Sequence, residues 1–372
     1  MTSLIDRMCL LFVTHQCNLN CVYCYEKFKS PKRMTLETAK RVLADELRVF
    51  EERATGGTLT IDFMGGEPLL NFDVIRETCR WLWESYPNAP YRPEMRTNGT
   101  ALTPESMKWL EENRSRIRVG LSLDGVAELQ DMNRSGSSSK IPVEFFLRNW
   151  PDIPLKTTIS PQSLSLLASS AINFHERGIP FSLTLAQGVD WGDEAPQLLK
   201  EQLLTLADYY TEHPELKPEP SLFVDDFRGL SRSDPPSFPM CGTREEIVAY
   251  NADGERSICH LFTEPTIGIE LAKLYRDKTN TPTILPEDPD CAPCPARPIC
   301  KRCPGFNLVA TGSLHLQDKR VCRMMRTLVH VNCIIWLKKN EQRALRGELD
   351  EEEMQLLRWA LDHLEPTDPS LT

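Results

Sequence analysis

Thirteen cysteines in 372 residues, and the places where they stand, constrain this chain more than any other feature. Cys17, Cys21 and Cys24 fall within eight residues of one another. Seven more, Cys241, Cys259, Cys291, Cys294, Cys300, Cys303 and Cys322, fall in the C-terminal part. Only Cys9, Cys79 and Cys333 stand apart. A disulfide scaffold is normally short and exported, whereas this chain is long. Its N-terminal apolar run, Cys9 to Val13, is too short for a signal sequence. In a reducing compartment, thiols grouped this way read as ligands of a metal or cluster. Composition narrows the class further. Lys and Arg number 43 and Asp and Glu 53, a net charge of −10, so the basic surplus of a nucleic-acid binder is missing. No apolar stretch approaches the ~20 residues of a membrane span. The expectation is a cytoplasmic protein that engages neither nucleic acid nor membrane.

The first half alternates short apolar runs with amphipathic stretches. Strands are expected at 10–14, 58–64, 94–97, 117–123, 155–159 and 181–185. Helices are expected between them, at 35–50, 72–84, 104–113, 163–177 and 197–211. Six such alternations point to an α/β fold of parallel βαβ units, too few for a closed eight-stranded barrel. A partial (β/α)6 barrel fits. The chemistry-bearing residues Cys17, Gly65, Asn98 and Asp124 all follow strands, on the rim where barrels place their sites. Beyond Pro214 the texture changes: 14 of the 28 prolines lie between Pro214 and Pro304. Long helices cannot persist there, and the cysteines are the obvious organisers. The expected domains are a barrel at 1–213, a linker at 214–240, a cysteine-rich domain at 241–330 and a helical segment at 331–372.

Three thiols on one loop can hold three irons of a cuboidal [4Fe–4S] cluster and leave the fourth open. Zinc with a distant fourth ligand is the competing reading. The loop Cys17-x3-Cys21-x2-Cys24, with Tyr23 before its last cysteine, is followed by Gly65-Gly66-Glu67-Pro68 after the second strand. Together they resemble the radical S-adenosylmethionine (SAM) superfamily. Asn98 and Gly99 after the third strand, Ser122 and Asp124 after the fourth, and Arg134 extend the likeness over roughly residues 8 to 210. The resemblance implies a cluster held by Cys17, Cys21 and Cys24 whose open iron chelates SAM. Reductive cleavage would then give a 5′-deoxyadenosyl radical. It implies that Gly65, Gly66 and Glu67 sit at the methionine amino group and Tyr23 at the adenine. Ser122 and Arg134 match the family's ribose and carboxylate contacts. The bland reading of those two is a strand-end hydrogen bonder and a surface arginine.

The second group runs Cys241, twelve residues, Gly254, four residues, Cys259, then Cys291-x2-Cys294-x5-Cys300-x2-Cys303 and Cys322. Four of these alone would suit a zinc ribbon. The whole pattern resembles the SPASM extension of radical SAM enzymes, which binds auxiliary [4Fe–4S] clusters. It departs by one residue, in the spacing of Cys300 and Cys303. The resemblance implies that Cys241, Cys259 and Cys303 serve a nearer cluster, and Cys291, Cys294, Cys300 and Cys322 a farther one. Three clusters are therefore expected in all. Seven cysteines are one short of eight ligands, so the nearer cluster is expected to keep an open iron. Cys9 and Cys79 read as core residues and Cys333 as the best eighth ligand.

The implied function is a peptide maturase that forms a thioether, a carbon–carbon crosslink or another oxidised product on a ribosomally made precursor peptide. Flavodoxin or ferredoxin would supply electrons. Only 16 residues precede Cys17, so leader recognition would fall to a separate protein or to the enzyme body. His260 stands where sulfatase maturases carry an aspartate base, and reads more simply as a hydrogen-bonding neighbour of Cys259. Asp225 and Asp226 read as a solvated turn. The alternatives are a radical SAM enzyme for a small or carrier-bound substrate, and a non-catalytic zinc or cluster scaffold.

Overall fold

A strand of parallel sheet buried on both faces should read as an unbroken apolar run, and Cys9 to Val13 is one: all five side chains are buried. They lie in β1 (Ile5–Thr14), the middle of the first sheet. The computed structural model describes residues 5–53, 56–217, 222–223, 246–276, 286–294, 296–300, 302–346 and 351–363. Asp225, Asp226 and Cys241 lie outside them. Contacts divide the chain into two compact units. The first holds residues 1–123, 130–155 and 241–283, and the second holds 124–129, 156–240 and 284–372.

In the first unit α1 (Leu36–Arg53) follows β1, β2 is Gly56–Gly65, α2 Phe72–Ser85, β3 Tyr91–Thr97, α3 Pro104–Glu112 and β4 Arg118–Leu121. These four strands are parallel, in the order β4-β3-β2-β1. The helices bury stripes at helical spacing, such as Ala39, Val42, Leu43, Leu47 and Phe50 of α1. α3 begins at a capping box: Thr103 Oγ1 accepts from Ser106 N, and Ser106 Oγ accepts from Thr103 N. Two short helices, α4 (Ala127–Asn133) and α5 (Val143–Asn149), complete this stretch.

The far edge of β1 is covered from a distance in sequence. β7 (Ile247–Tyr250) pairs parallel with β1, and the two-residue β8 (Arg256–Ser257) pairs antiparallel with β7. Ending the sheet on so short a strand leaves little edge to pair with another chain. Gly254 in the turn has φ +76°, and a Cβ there would lie 2.5 Å from Arg41 Nη2 and 2.7 Å from Thr38 Cγ2 on α1. A buried ion pair ties the layers: Arg7 Nε donates to Glu46 Oε2 at 2.8 Å, and the Tyr250 hydroxyl donates to the other oxygen of Glu46. α8 (Glu264–Leu274) follows the hairpin.

The second unit carries β5 (Leu155–Ile159) paired with β6 (Phe181–Leu185), with α6 (Leu167–Glu176) between them and α7 (Ala195–Glu212) after them. α9 (Pro304–Thr311), α10 (Lys319–Leu345) and α11 (Glu351–His363) complete it, α10 packing on α7. All six expected strands are present, in places with shifted ends: β1 starts five residues earlier than its apolar run suggests. No described helix is long and apolar enough to cross a membrane.

Candidate functional site

The loop after β1 folds back on its own strand. His15 N donates to Lys32 O at 2.9 Å, Met34 N to Val13 O at 2.8 Å, and the Thr14 hydroxyl to Lys32 O at 3.0 Å. This returns residues 17–24 to the C-terminal end of the sheet. Within the loop, Leu19 N points at Cys17 Sγ (3.5 Å), and Cys24 N closes a turn on Cys21 O (3.1 Å). Two outside contacts fix it: Val22 N donates to Asn133 O and Asn20 N to Ser135 Oγ, both at 3.0 Å. All three thiols are half-buried.

The glycine pair after β2 explains how the loop comes so close. A Cβ on Gly65 would lie 2.3 Å from Thr14 O, and one on Gly66 would lie 2.4 Å from Gln16 O and 2.8 Å from Cys17 Cβ. With no side chain there, Glu67 N reaches Gln16 O at 2.7 Å and clamps the start of the cysteine loop to the β2 end. The Glu67 carboxylate is buried and turned inward. Oε1 accepts from Thr97 Oγ1 at 2.6 Å and from Leu69 N at 3.1 Å, and Oε2 accepts from Asn98 N at 2.8 Å. Glu67 thus ties the ends of β2 and β3 together, where the resemblance had implied a contact to the ligand's amino group. Asn98, placed by that tie, extends Nδ2 to Asn18 Oδ1 at 3.0 Å and lies 4.0 Å from Cys17 Sγ.

Tyr23 and Arg134 come together, the guanidinium 5.3 Å from the ring centroid. Arg134 is buried. Ser122 is half-buried past β4 and held through its N–H on Thr97 O at 2.9 Å. Asp124 belongs to the second unit. There it is fully buried and its Oδ1 accepts from Thr158 N of β5 at 3.0 Å.

One charge beside the thiols escapes sequence reading. Lys29 Nζ donates to Leu19 O at 3.1 Å, so its ammonium is anchored in the cysteine loop. Burial works against that charge, but Cys24, Cys17 and Cys21, with Glu26, outweigh it and hold Lys29 above its usual range. Nothing in Tyr25-Glu26-Lys27-Phe28-Lys29 separates this lysine from its neighbour, because only the fold of the loop selects it. Burial pushes the Cys17 thiol up to about 11. Coordination to a metal deprotonates such a thiol outright. Three soft sulfur donors, a half-buried cation beside them and a Gly-Gly cradle are a donor set that fits an anionic iron–sulfur cluster.

Cys259 is buried in the first unit. His260 packs on Tyr25 with ring centroids 5.7 Å apart, and burial drives its pKa down to about 4. In the second unit burial pushes the Cys300 and Cys322 thiols up to about 12, with smaller contributions from the charges of neighbouring cysteines. Cys294 N donates to Cys291 O at 3.1 Å, and Cys300 and Cys322 line one cavity. Cys303, at the start of α9, opens on the same cavity as Cys300 and Cys322, lined also by Arg302, Phe306 and Asn307. Cys9 and Cys79 are core residues, each fully buried. Cys333 is fully buried too, in an apolar cluster with Ala296 and Val329 against which Cys294 packs.

Residues 11–146 match the family model of the Radical SAM superfamily. The cysteine-type anaerobic sulfatase-maturating enzyme of Clostridium perfringens is 33% identical over 128 residues, 32% of this chain and 32% of that protein. The chain spans less than half the length of the curated relatives it matches. In structure it is similar over nearly its whole length to native anSMEcpe bound to AdoMet and the Kp18Cys peptide. The TM-score is 0.64 at 19% identity, covering 92% of this chain and 99% of that one. Streptococcus suis SuiB bound to precursor peptide SuiA matches at TM-score 0.53 and 14% identity, covering 85% and 76%. The fold is α/β with a parallel sheet and matches radical SAM partial-barrel structures.

Proposed function

The chain carries a radical SAM domain, and we propose that it is a maturase that modifies a ribosomally made precursor peptide. Such a domain works with SAM and a [4Fe–4S] cluster, which together supply a carbon radical able to take hydrogen from an unactivated position. The observation that carries the reading is the clamp between the two motifs. Glu67 N on Gln16 O holds the Cys17–Cys24 loop against the Gly65–Gly66 cradle. In this reading Cys17, Cys21 and Cys24 hold the cluster and Lys29 offsets its negative charge. Gly65 and Gly66 lie at the ligand's methionine end. Tyr23 lies at the adenine, Ser122 at the ribose, and Arg134, beside the Tyr23 ring, at the carboxylate. Asp124, bound to β5, shapes the strand end. Cys291, Cys294, Cys300 and Cys322 hold one auxiliary cluster, and Cys241, Cys259 and Cys303 serve another, for three in all. The likeness to SuiB, whose structure holds a precursor peptide, supports a peptide substrate. A thioether or carbon–carbon crosslink is the product, a flavodoxin or ferredoxin the electron source, and the cytoplasm the setting.

The test is anaerobic reconstitution with a chemical reductant, SAM and any small peptide found encoded beside the gene. Formation of 5′-deoxyadenosine with a crosslinked or oxidised peptide by mass spectrometry supports the reading. 5′-Deoxyadenosine without any change in peptide mass overturns the peptide substrate. A Cys17, Cys21 and Cys24 triple alanine variant that still forms 5′-deoxyadenosine overturns the cluster assignment.

A further inference from the structure

Arg302 sits among the thiols of the second unit and belongs to none of the motifs. Its side chain is 4% exposed, a placement a guanidinium tolerates only when paired. Nη1 donates to Glu287 Oε1 at 2.6 Å, and Glu287 in turn accepts from Arg297 Nε at 2.7 Å. The charge of Arg302 favours the thiolates of Cys291 and Cys300, against burial and, at Cys291, against the nearby carboxylate of Asp288. It lines the cavity onto which Cys300, Cys303 and Cys322 open. A partner carboxylate shared with a second arginine leaves the group of Arg297, Arg302 and Glu287 with one net positive charge, directed at the thiols.

We propose that Arg302 is a positioning residue that sets the reduction potential of the auxiliary cluster held by Cys291, Cys294, Cys300 and Cys322. The inference rests on the auxiliary-cluster reading above. A [4Fe–4S] cluster on four thiolates is anionic before reduction and gains a further negative charge when it takes one electron. A buried cation beside the ligand sulfurs stabilises the reduced form more than the oxidised one and so raises the potential. Hydrogen bonds to the sulfurs and net charge are the levers that set such potentials. Glu287 acts in the opposite sense, because its carboxylate cancels part of the charge of Arg302.

The experiment is an EPR-monitored titration with dithionite and mediators on the full chain. It is done in the Cys17, Cys21 and Cys24 triple alanine background, so that only auxiliary clusters report. Arg302→Gln should lower one midpoint, shifting the reduced-to-oxidised ratio at fixed potential by about tenfold, which is 59 mV for a one-electron couple. Arg302→Lys should recover part of the shift, and Glu287→Gln should raise the same midpoint. Unmoved midpoints in Arg302→Gln with iron retained overturn the proposal alone. If Arg302→Gln loses iron, Glu287→Gln decides: an upward shift supports the proposal and an unmoved midpoint overturns it. Absence of iron from the triple alanine background overturns the auxiliary-cluster reading and this proposal together.

Discussion

At Glu67 burial and hydrogen bonding pull in opposite directions. Burial lifts its pKa to about 7, against the bonds from Thr97, Asn98 and Leu69 and the charge of Arg134 that favour the carboxylate. The motif Gly65-Gly66-Glu67 was legible in the sequence, but the direction of the side chain was not. A Gly-Gly-Glu run looks the same whether the carboxylate faces a ligand or ties two strands. Three acceptor contacts to Thr97, Asn98 and Leu69 show the tie. Glu67→Gln keeps the volume but turns an amide donor toward one of those N–H or O–H groups. Stability should fall by about 1–3 kcal/mol from the unmet buried donor. SAM affinity should weaken through the displaced Asn98 while iron content holds. Thermal unfolding, ligand titration and iron analysis check the three parts. Full SAM affinity in a destabilised variant would confine Glu67 to folding.

The element hardest to foresee is the β7–β8 hairpin. Strands β1 to β6 announce themselves through local alternation with helices, whereas β7 pairs with β1 across more than two hundred residues of sequence. Its sequence, Ile247-Val248-Ala249-Tyr250, is too short to be told from any apolar run. The cysteine-pattern resemblance implied a hairpin around Ala252 to Ser257, but not that its Gly254 turn packs on α1. What locks β7 in place is polar: Tyr250 and Arg7 share the buried Glu46. Glu46→Ala strands a buried guanidinium and should cost about 3–5 kcal/mol. Tyr250→Phe removes one donor and should cost about 1 kcal/mol. Equal losses in chemical denaturation would show that the ion pair does not dominate. In the second unit α6 and α7 meet through His175 Nε2 and the Tyr210 hydroxyl at 2.9 Å. Burial holds His175 below its usual value of about 6.5. The unfolded chain therefore takes up the proton first, and the stability that this site contributes is complete above about pH 6.5 and lost as pH falls through the lowered folded value. The stability gap between wild type and His175→Gln should narrow from about pH 7 to about pH 5. A gap independent of pH would show that His175 does not titrate in this range.

Over the whole molecule, iron content measures what the cysteine pattern means. The short spacings of Cys291, Cys294, Cys300 and Cys303 mark them as loop ligands in the sequence, whereas the division that sets Cys303 apart and adds Cys322 came only from the family resemblance. The solitary cysteines were legible only as a class. Burial at Cys9, Cys79 and Cys333 is complete, and each thiol pKa is pushed up, with burial the largest cause. Cys9 faces the interior of the first sheet and Cys79 the buried stripe of α2. Cys333 packs among Ala296, Val329, Ile299 and Trp336. Each fills space as a small apolar side chain does. In the reading proposed above, the seven cysteines of the C-terminal pattern leave one auxiliary cluster short of a thiolate, with an open iron that would bind a substrate sulfur. Starting from roughly 12 irons for three four-iron clusters, Cys9→Ala, Cys79→Ala and Cys333→Ala should each keep the full complement. Each should lose about 1 kcal/mol of stability from the small cavity left behind. Iron and sulfide analysis of anaerobically purified variants decides it. A loss of about four irons in any one of them would make that cysteine the eighth ligand and close the open site.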